Sequence, residues 1–375
     1  MGALSPETAA ISDPQRILPP NEPRGPIAWT RKNLFGSWPS TLITIVMLLL
    51  LGRLAAWLID WAVLRAIWTL PGGTIADTQA CRADGVGACW ALIHEKYRFI
   101  LFGLYPYALQ WRPALCILLF IGLYLLSADR RLWNWSLALI WAAGIILVGI
   151  LMHGGVFGLE VVSEDLWGGL PVTLILATFG IAIAFPLGVA VALGRRSANP
   201  TVRTLCFLYV ELIRGVPLIS VLFMASVMFP LFLPDGMNVS KLLRAQLGIV
   251  LFVAAYLAET IRGGLQAAER GQYEAAGSLG FGYWQTTFLI VLPQALRIVL
   301  PPIVSLCIAF FKNTSLVMII GIFDLLNAAK RSVGEPAWQG FGPEAYLFVA
   351  AIYFSFCFAM SRYGQRLEKR LDNKR

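Results

Sequence analysis

Glu274 to Pro293, reading EAAGSLGFGYWQTTFLIVLP, is where this sequence concentrates unusual residue types. A glutamate, two alanines and the glycines Gly277, Gly280 and Gly282 lie between two long apolar segments. Glycine permits turns and close backbone approach, and Ala275 and Ala276 let a partner surface come near. Such residues suit docking rather than bond-making. Composition alone leaves an ordinary connecting loop as an equal reading. The pattern predicts a short amphipathic helix through Glu274, a break at Gly280, a second short helix, and Pro293 opening the next span.

Ionisable residues at membrane depth are the second group. Glu211 and Arg214 are three apart, as are Glu259 and Arg262, so each pair shares a helix face. Charges in lipid are costly and face a bundle interior or a cavity. They either line or gate a pathway or, the plainer reading, form two neutralised struts at helix ends. Pro217 follows the first pair closely. Lys312 has no acid at helical spacing and sits beside Asn313, Thr314 and Ser315. It either lines a pathway or pairs with a carboxylate of another helix. Pro301 and Pro302 upstream imply a kink. Cys81 and Cys89, in a polar loop, are either free or bridged, and the bridge is favoured.

Catalysis has no good candidate. No glycine-rich loop ends in Gly-Lys-Ser/Thr, so nothing cradles a nucleotide phosphate in the usual way. No His-based nucleophile arrangement appears. Without a C-x-x-C pair, and with His94 and His153 far apart, a zinc or haem site has no support. Cys116, Cys206, Cys307 and Cys357 lie in apolar segments and act as small hydrophobes. No cofactor and no metal is expected in this chain.

These groups need elements to carry them, and the composition says which. Of 375 residues, 58% are hydrophobic and only 14% charged, with a mean hydropathy of +0.70. Several windows hold about 20 apolar residues, enough to cross a roughly 30 Å hydrocarbon core. The chain reads as an all-α polytopic membrane protein with about eight transmembrane helices. Its net charge of +9 reflects basic cytoplasmic loops rather than nucleic-acid binding.

Residues 1–38 are proline-rich and read as a disordered cytoplasmic leader, too long to precede a cleaved signal segment. Residues 39–155 form an N-terminal extension of about three spans with a periplasmic loop at 64–96. The first span is about Leu42 to Ala62, with Arg53 snorkelling toward an interface. Ile93 to Gln110 either starts a second span or lies at the interface, with Pro113 opening the membrane helix proper. A third span runs from about Leu132 to Leu151, and the acidic segment Val156 to Trp167 lies along a membrane surface.

Residues 156–375 form the core. Its spans are about Leu170 to Leu193, Leu205 to Leu231, Leu247 to Leu265, Gln294 to Ile322 and Ala345 to Met360. A loop through Pro234, Asp235 and Gly236 and a basic tail complete it. Arg130, Arg131, Arg195, Arg196 and Arg203 fall on one side with the leader, the 274–293 stretch and the tail. The positive-inside rule makes that side, and both termini, cytoplasmic.

A resemblance now narrows the reading. Glu274-Ala275-Ala276, then Gly280, then nine residues to Ile290-Val291-Leu292-Pro293, resembles the full EAA signature of ABC-importer membrane subunits. Four separated elements agree in spacing. The resemblance implies that this loop is the coupling helix that docks on an ATPase subunit, through Glu274, Ala275, Ala276 and Gly277, with Gly280 as bend and Leu292-Pro293 closing the motif. Glu211-Leu-Ile-Arg214-Gly215-Val-Pro217-Leu218, Ala255 to Gly264 and Lys312-Asn313-Thr314-Ser315-Leu316 resemble polar amino-acid permeases of the histidine, glutamate and glutamine type. The resemblance spans roughly residues 165–375. The extra N-terminal spans are similar to the larger membrane subunit of alphaproteobacterial general L-amino-acid importers.

What this implies is a non-catalytic permease subunit of the bacterial inner membrane, with a five-helix type I core. Its expected partners are a second, shorter, paralogous permease, an ATP-binding dimer, a periplasmic amino-acid-binding protein and membrane lipid. An ion-coupled secondary transporter or channel is the rival class, and it would show an inverted repeat; none is visible. A scaffold would have no need of costly charges at depth.

Overall fold

A computed structural model describes residues 25–70, 72, 75–234 and 239–372. The leader up to residue 24, Gly73, the 235–238 part of the expected loop and the last three residues of the tail lie outside them. The described chain is all-α; isolated bridges at Ile67/Cys89 and Gly169/Asp324 are the β pairing it shows. It forms two compact units.

The first unit comprises described residues 25–66 together with 84–88. Disorder through residue 38 is not what the structure shows, because α1 (Pro26–Leu34) is already helical. Proline suits a first helical turn, where its missing N–H goes unused. An elbow leads to α2 (Trp38–Ile59), which continues as a π turn over Asp60–Leu64. Ser40 Oγ and Thr44 Oγ1 both donate to the Leu34 carbonyl, at 3.0 and 2.9 Å, satisfying an orphan acceptor at the end of α1. Trp38–Leu64 is long and apolar enough to cross a membrane, and its most apolar window buries no side chain.

The second unit holds residues 67–83 and 89 onward. Its helices are α3 (Ala91–Phe102), α4 (Trp111–Ala128), α5 (Trp135–His153), α6 (Gly169–Gly194), α7 (Pro200–Arg214), α8 (Leu218–Phe223) and α9 (Lys241–Ala267). There follow α10 (Arg270–Ser278), α11 (Tyr283–Gln285), α12 (Leu292–Ile298), α13 (Leu300–Asn313), α14 (Leu325–Gly334) and α15 (Gly342–Asp372). Six further segments are long and apolar enough to span: Tyr107–Ala128, Trp135–His153, Gly169–Gly194, Lys241–Ala267, Leu300–Ile320 and Gly342–Arg370. A pair, Pro200–Arg214 and Leu218–Phe232, passes only jointly and is bent by 105°.

That bend corrects the continuous span expected from Leu205 to Leu231. Pro217 has no N–H and disfavours helical geometry at Val216, so α7 stops at Arg214. The expected span from Gln294 is corrected likewise. Pro301 and Pro302 leave the carbonyls four residues back without helical donors, and the helix breaks at Val299 before the span proper begins at Leu300. Ile93 to Gln110 is not one continuous start of a span: the candidate span begins only at Tyr107. It contains a separate helix, α3, ended at Gly103 with φ +64°. The last helix extends well past Met360, into the charged tail.

The strongest pairing is α6 against α9. A Cβ on Gly188 would stand 2.8 Å from Leu257 Cβ, and one on Gly180 2.9 Å from Ile249 Cγ2. Glycines facing fully buried Ala254 and Ala258 let two membrane helices approach closely, which is how dispersion holds helices together where lipid removes the hydrophobic drive.

Residues on both sides of 155 share this unit. One apolar cluster joins Cys89, Phe120 and Met152 with Leu174, Phe311, Trp338 and Val349. The start of α6 is packed tightly. Gly169 has φ +66°, and a Cβ there would run into the Leu101 carbonyl. Its N–H donates to Phe323 O at 2.8 Å. Buried Asp324 then caps α14, accepting from Leu326 and Asn327 N–H, each at 3.1 Å. Burial pushes the Asp324 carboxyl up to about 7.

Nearby, Cys81 and Cys89 are joined by a disulfide. Arg82 Nη2 donates to the carbonyls of Pro336, Ala337 and Gln339 at 3.2–3.3 Å. Cys89 N–H donates to buried Glu344 at 2.9 Å, and Lys96 pairs with Glu335 at 2.6 Å. Fully buried Arg112 donates to the Leu151 and Glu160 carbonyls at 2.6 and 2.9 Å, placing a cation at the C-terminus of α5 where the helix dipole favours one.

Candidate functional site

At the other end of α6 the chain is open. After α9 comes α10, carrying the Glu-Ala-Ala run. Glu274, Ala275 and Gly277 are exposed, while Ala276 is 1% exposed. The helix therefore offers a small-residue face outward and anchors itself by one alanine. It ends in a Schellman arrangement: Phe281 N–H donates to Ala276 O at 3.1 Å and Gly280 N–H to Gly277 O at 3.0 Å. Closing that motif requires a left-handed residue, and Gly280 supplies it at φ +78°. A Cβ on Gly271, Gly277 or Gly280 would meet nothing within 4 Å.

Beyond the bend, Gln285 Oε1 accepts from Gly282 N–H at 3.0 Å and a helix begins at Tyr283. It runs through a π turn, Thr286–Val291, into α12. Pro293 thus lies inside the first turn of α12 rather than at the start of the following span; that role falls to Leu300. Tyr283, Trp284 and Phe288 are exposed, and Trp284 stacks on Phe288 at 5.7 Å. Two side-chain tethers hold α10. Gln272 accepts from Gln294 at 3.0 Å, and Arg196 donates to Tyr273 Oη at 3.0 Å.

The two expected charge pairs are one network. Glu259 is its hub, bonded to Arg262 at 2.5 Å, Arg195 at 2.6 Å and Arg214 at 3.7 Å. Glu211 pairs with Arg195 at 3.3 Å rather than with Arg214. The Arg214 guanidinium instead lies 5.6 Å from the Tyr256 ring centre. The plain strut reading fails for Glu211 and Arg214 as a pair, because Arg195, 9% exposed, reaches across from the end of α6 and takes Glu211. Three arginines face two glutamates, leaving the cluster net positive. A polar hollow of ≈ 330 Å³ opens beside it, lined by Arg195, Arg196, Arg203, Arg262 and Gln266 among others.

Lys312 is exposed and has no carboxylate partner among the described residues. It stands at the end of α13, where α geometry gives way to a 3-10 helix over Thr314–Ile320. Thr314 is buried and donates to Phe311 O at 2.8 Å; Ser315 donates to Lys312 O at 2.8 Å. Among the described residues, no group of three His, Cys, Asp or Glu side chains is gathered as a metal site would need.

The contacts of Arg195, Arg196, Tyr273 and Gln272 escaped the sequence reading. Two arginines after a long apolar helix were legible only as a topology signal. What they bond to is separated by 16 to 77 residues.

Residues 184–373 match the family described as "Binding-protein-dependent transport system inner membrane component". The chain is 47% identical over 371 residues to the Escherichia coli inner membrane amino-acid ABC transporter permease protein YhdY, covering 97% of this chain and 98% of that one. It is 36% identical to the glutamate/glutamine/aspartate/asparagine transport system permease protein BztC of Rhodobacter capsulatus, covering 92% and 94%. Among solved structures, one described as an amino acid ABC transporter with histidines is 31% identical, with a TM-score of 0.48, over 54% of this chain and 92% of that one.

Proposed function

This chain belongs to the family of binding-protein-dependent transport system inner membrane components, and we propose that α10 is where it receives ATP-driven motion. The protein is a multi-pass inner-membrane permease subunit of an amino-acid ABC importer. It carries no ATPase chemistry of its own and works with other components of the importer.

Glu274, Ala275 and Gly277 form the face that an ATPase subunit contacts, with Gly280 setting its angle. The single observation behind this is the exposed small-residue side of α10, held by Ala276 and turned by a left-handed Gly280. Closure of an ATPase dimer would displace α10 and rock the core spans. The remaining assembly is a second, shorter permease and a periplasmic binding protein, with both termini of this chain cytoplasmic. The Glu211, Arg214, Glu259 and Arg262 network gates one end of the core, with Pro217 setting the bend that brings α7 to it. Exposed Lys312, with Asn313, Thr314 and Ser315, faces the path.

Reconstitution of the assembled importer tests this. Glu274→Ala combined with Gly280→Val is expected to cut uptake per ATP hydrolysed at least tenfold while the subunits still co-purify. Undiminished uptake per ATP would remove α10 from the mechanism. Uptake that survives an ATPase-dead partner would sink the importer reading altogether.

A further inference from the structure

Arg196 sits next to Arg195, a member of the charge network, and reaches the opposite way. Its Nη1 donates to the Leu265 carbonyl at 2.9 Å and to Tyr273 Oη at 3.0 Å. Its guanidinium lies 5.6 Å from the Tyr273 ring centre. Leu265 is in the last turn of α9, where a cation is favoured by the helix dipole. Tyr273 is in α10, immediately before Glu274. Arg195 meanwhile bonds Glu259 on α9 and Glu211 on α7. Both arginines are fixed to the end of α6 by their own backbone, Arg195 N–H to Val191 O and Arg196 N–H to Leu193 O, each at 3.0 Å.

We propose that Arg196 is a positioning residue that passes displacement of α10 to the charge network through the Arg195–Arg196 peptide. Consecutive Cα atoms stand about 3.8 Å apart across a rigid planar unit. A pull on Tyr273 therefore moves Arg196, and with it the anchor of the neighbouring guanidinium. Arg195 is shared between α7 and α9, so its shift changes the hold between those helices. Arginine suits both tasks: its Nη1 group donates to both acceptors while its planar guanidinium lies against the Tyr273 ring, a face that a compact lysine ammonium lacks. The Gln272–Gln294 bond is the other side-chain tether of α10 and leads to α12 instead.

This inference rests on α10 being the receiver of ATP-driven motion. The experiment uses the reconstituted importer with its binding protein, measuring amino-acid uptake and ATP hydrolysis in the same vesicles. Tyr273→Phe removes one hydroxyl and nothing else; Arg196→Gln removes the charge and the stacking. Each is expected to lower uptake per ATP at least fivefold, and the double variant to do no more than Arg196→Gln alone, since both cut one link. Arg196→Lys, keeping the charge and the donors but not the planar guanidinium, is expected to recover part of the ratio. An unchanged ratio in Tyr273→Phe, or effects that multiply in the double variant, would overturn the link. Gly280→Val, run alongside, separates the two claims. If it uncouples transport while Arg196→Gln and Tyr273→Phe do not, only the link falls; if it too leaves the ratio intact, the role of α10 falls first.

Discussion

The two ends of α6 are built on opposite principles. Twenty-six residues at 1.5 Å per residue put them about 39 Å apart. At the Gly169 end, Arg112, Thr173, Asp324 and Glu344 are buried among packed side chains. Backbone carbonyls take Arg82 and Arg112, a disulfide joins Cys81 to Cys89, and Gly169 leaves no room for a methyl group. At the Arg195 end, the charged side chains are partly exposed and pair mainly with one another, and the glycines of α10 stand in open space. Packing at the first end fixes one arrangement, because a tightly filled interior is not continuously deformable. Ion pairs near solvent reform at small net cost, so the second end can change partners. A subunit that must keep its outline yet transmit motion benefits from having both.

Adding one methyl group breaks this contrast most sharply. Gly169→Ala should cost roughly 2–5 kcal/mol from left-handed strain plus overpacking, seen as loss of monodisperse protein in detergent. Gly277→Ala should cost nothing, and an alanine in a helix gains roughly 0.5–1 kcal/mol. Equal thermal midpoints for the two variants would mean that the Gly169 end is not closely packed.

A smaller effect comes from Asp324. Its carboxyl is raised to about 7 in the folded protein, from 3.8, so between those values the folded state holds the proton that the unfolded state releases. Stability then falls as pH rises through this window and is fully reduced above it, by roughly 2–4 kcal/mol. Asn is also a good N-cap, so Asp324→Asn should flatten the slope of thermal stability between pH 4 and 7. A variant that keeps the wild-type slope would place its origin elsewhere.

The smallest change is expected at the open end. Glu259→Gln removes the hub of the network and leaves three arginines facing Glu211 alone. With Glu259 24% exposed, solvent screening holds the cost to roughly 1–2 kcal/mol, and the deficit should shrink at high salt. A salt-independent deficit would mean that this end is as dry as the other.

Much of the architecture was legible because lipid imposes a strong pattern: apolar runs near Leu170 and Leu247 gave α6 and α9 within a few residues. The Glu274 motif was legible because its helix, bend and second helix are local, set by Gly280 and the residues beside it. Breaks were harder. An apolar run continues through Gly215 and Pro217, so hydropathy saw one straight span where backbone chemistry makes two short segments bent by 105°. The network was read as pairs because helical spacing reports neighbours on one helix, whereas Arg195 crosses between helices. Nothing local marks Asp324 or Arg112 as buried; their partners, Gly169 and Leu151, become neighbours only once the chain has folded.

The π turn at Thr286–Val291 has a mechanical meaning of its own. Such a turn carries one residue more than an α turn. Returning it to α geometry would release that residue, advancing the preceding segment by about 1.5 Å and rotating it by about 100°. Tyr283 and Trp284 would swing around the axis with it. The strip that follows Gly280 is thus fastened to α12 by a screw thread, one whose return to α geometry would give back a single residue.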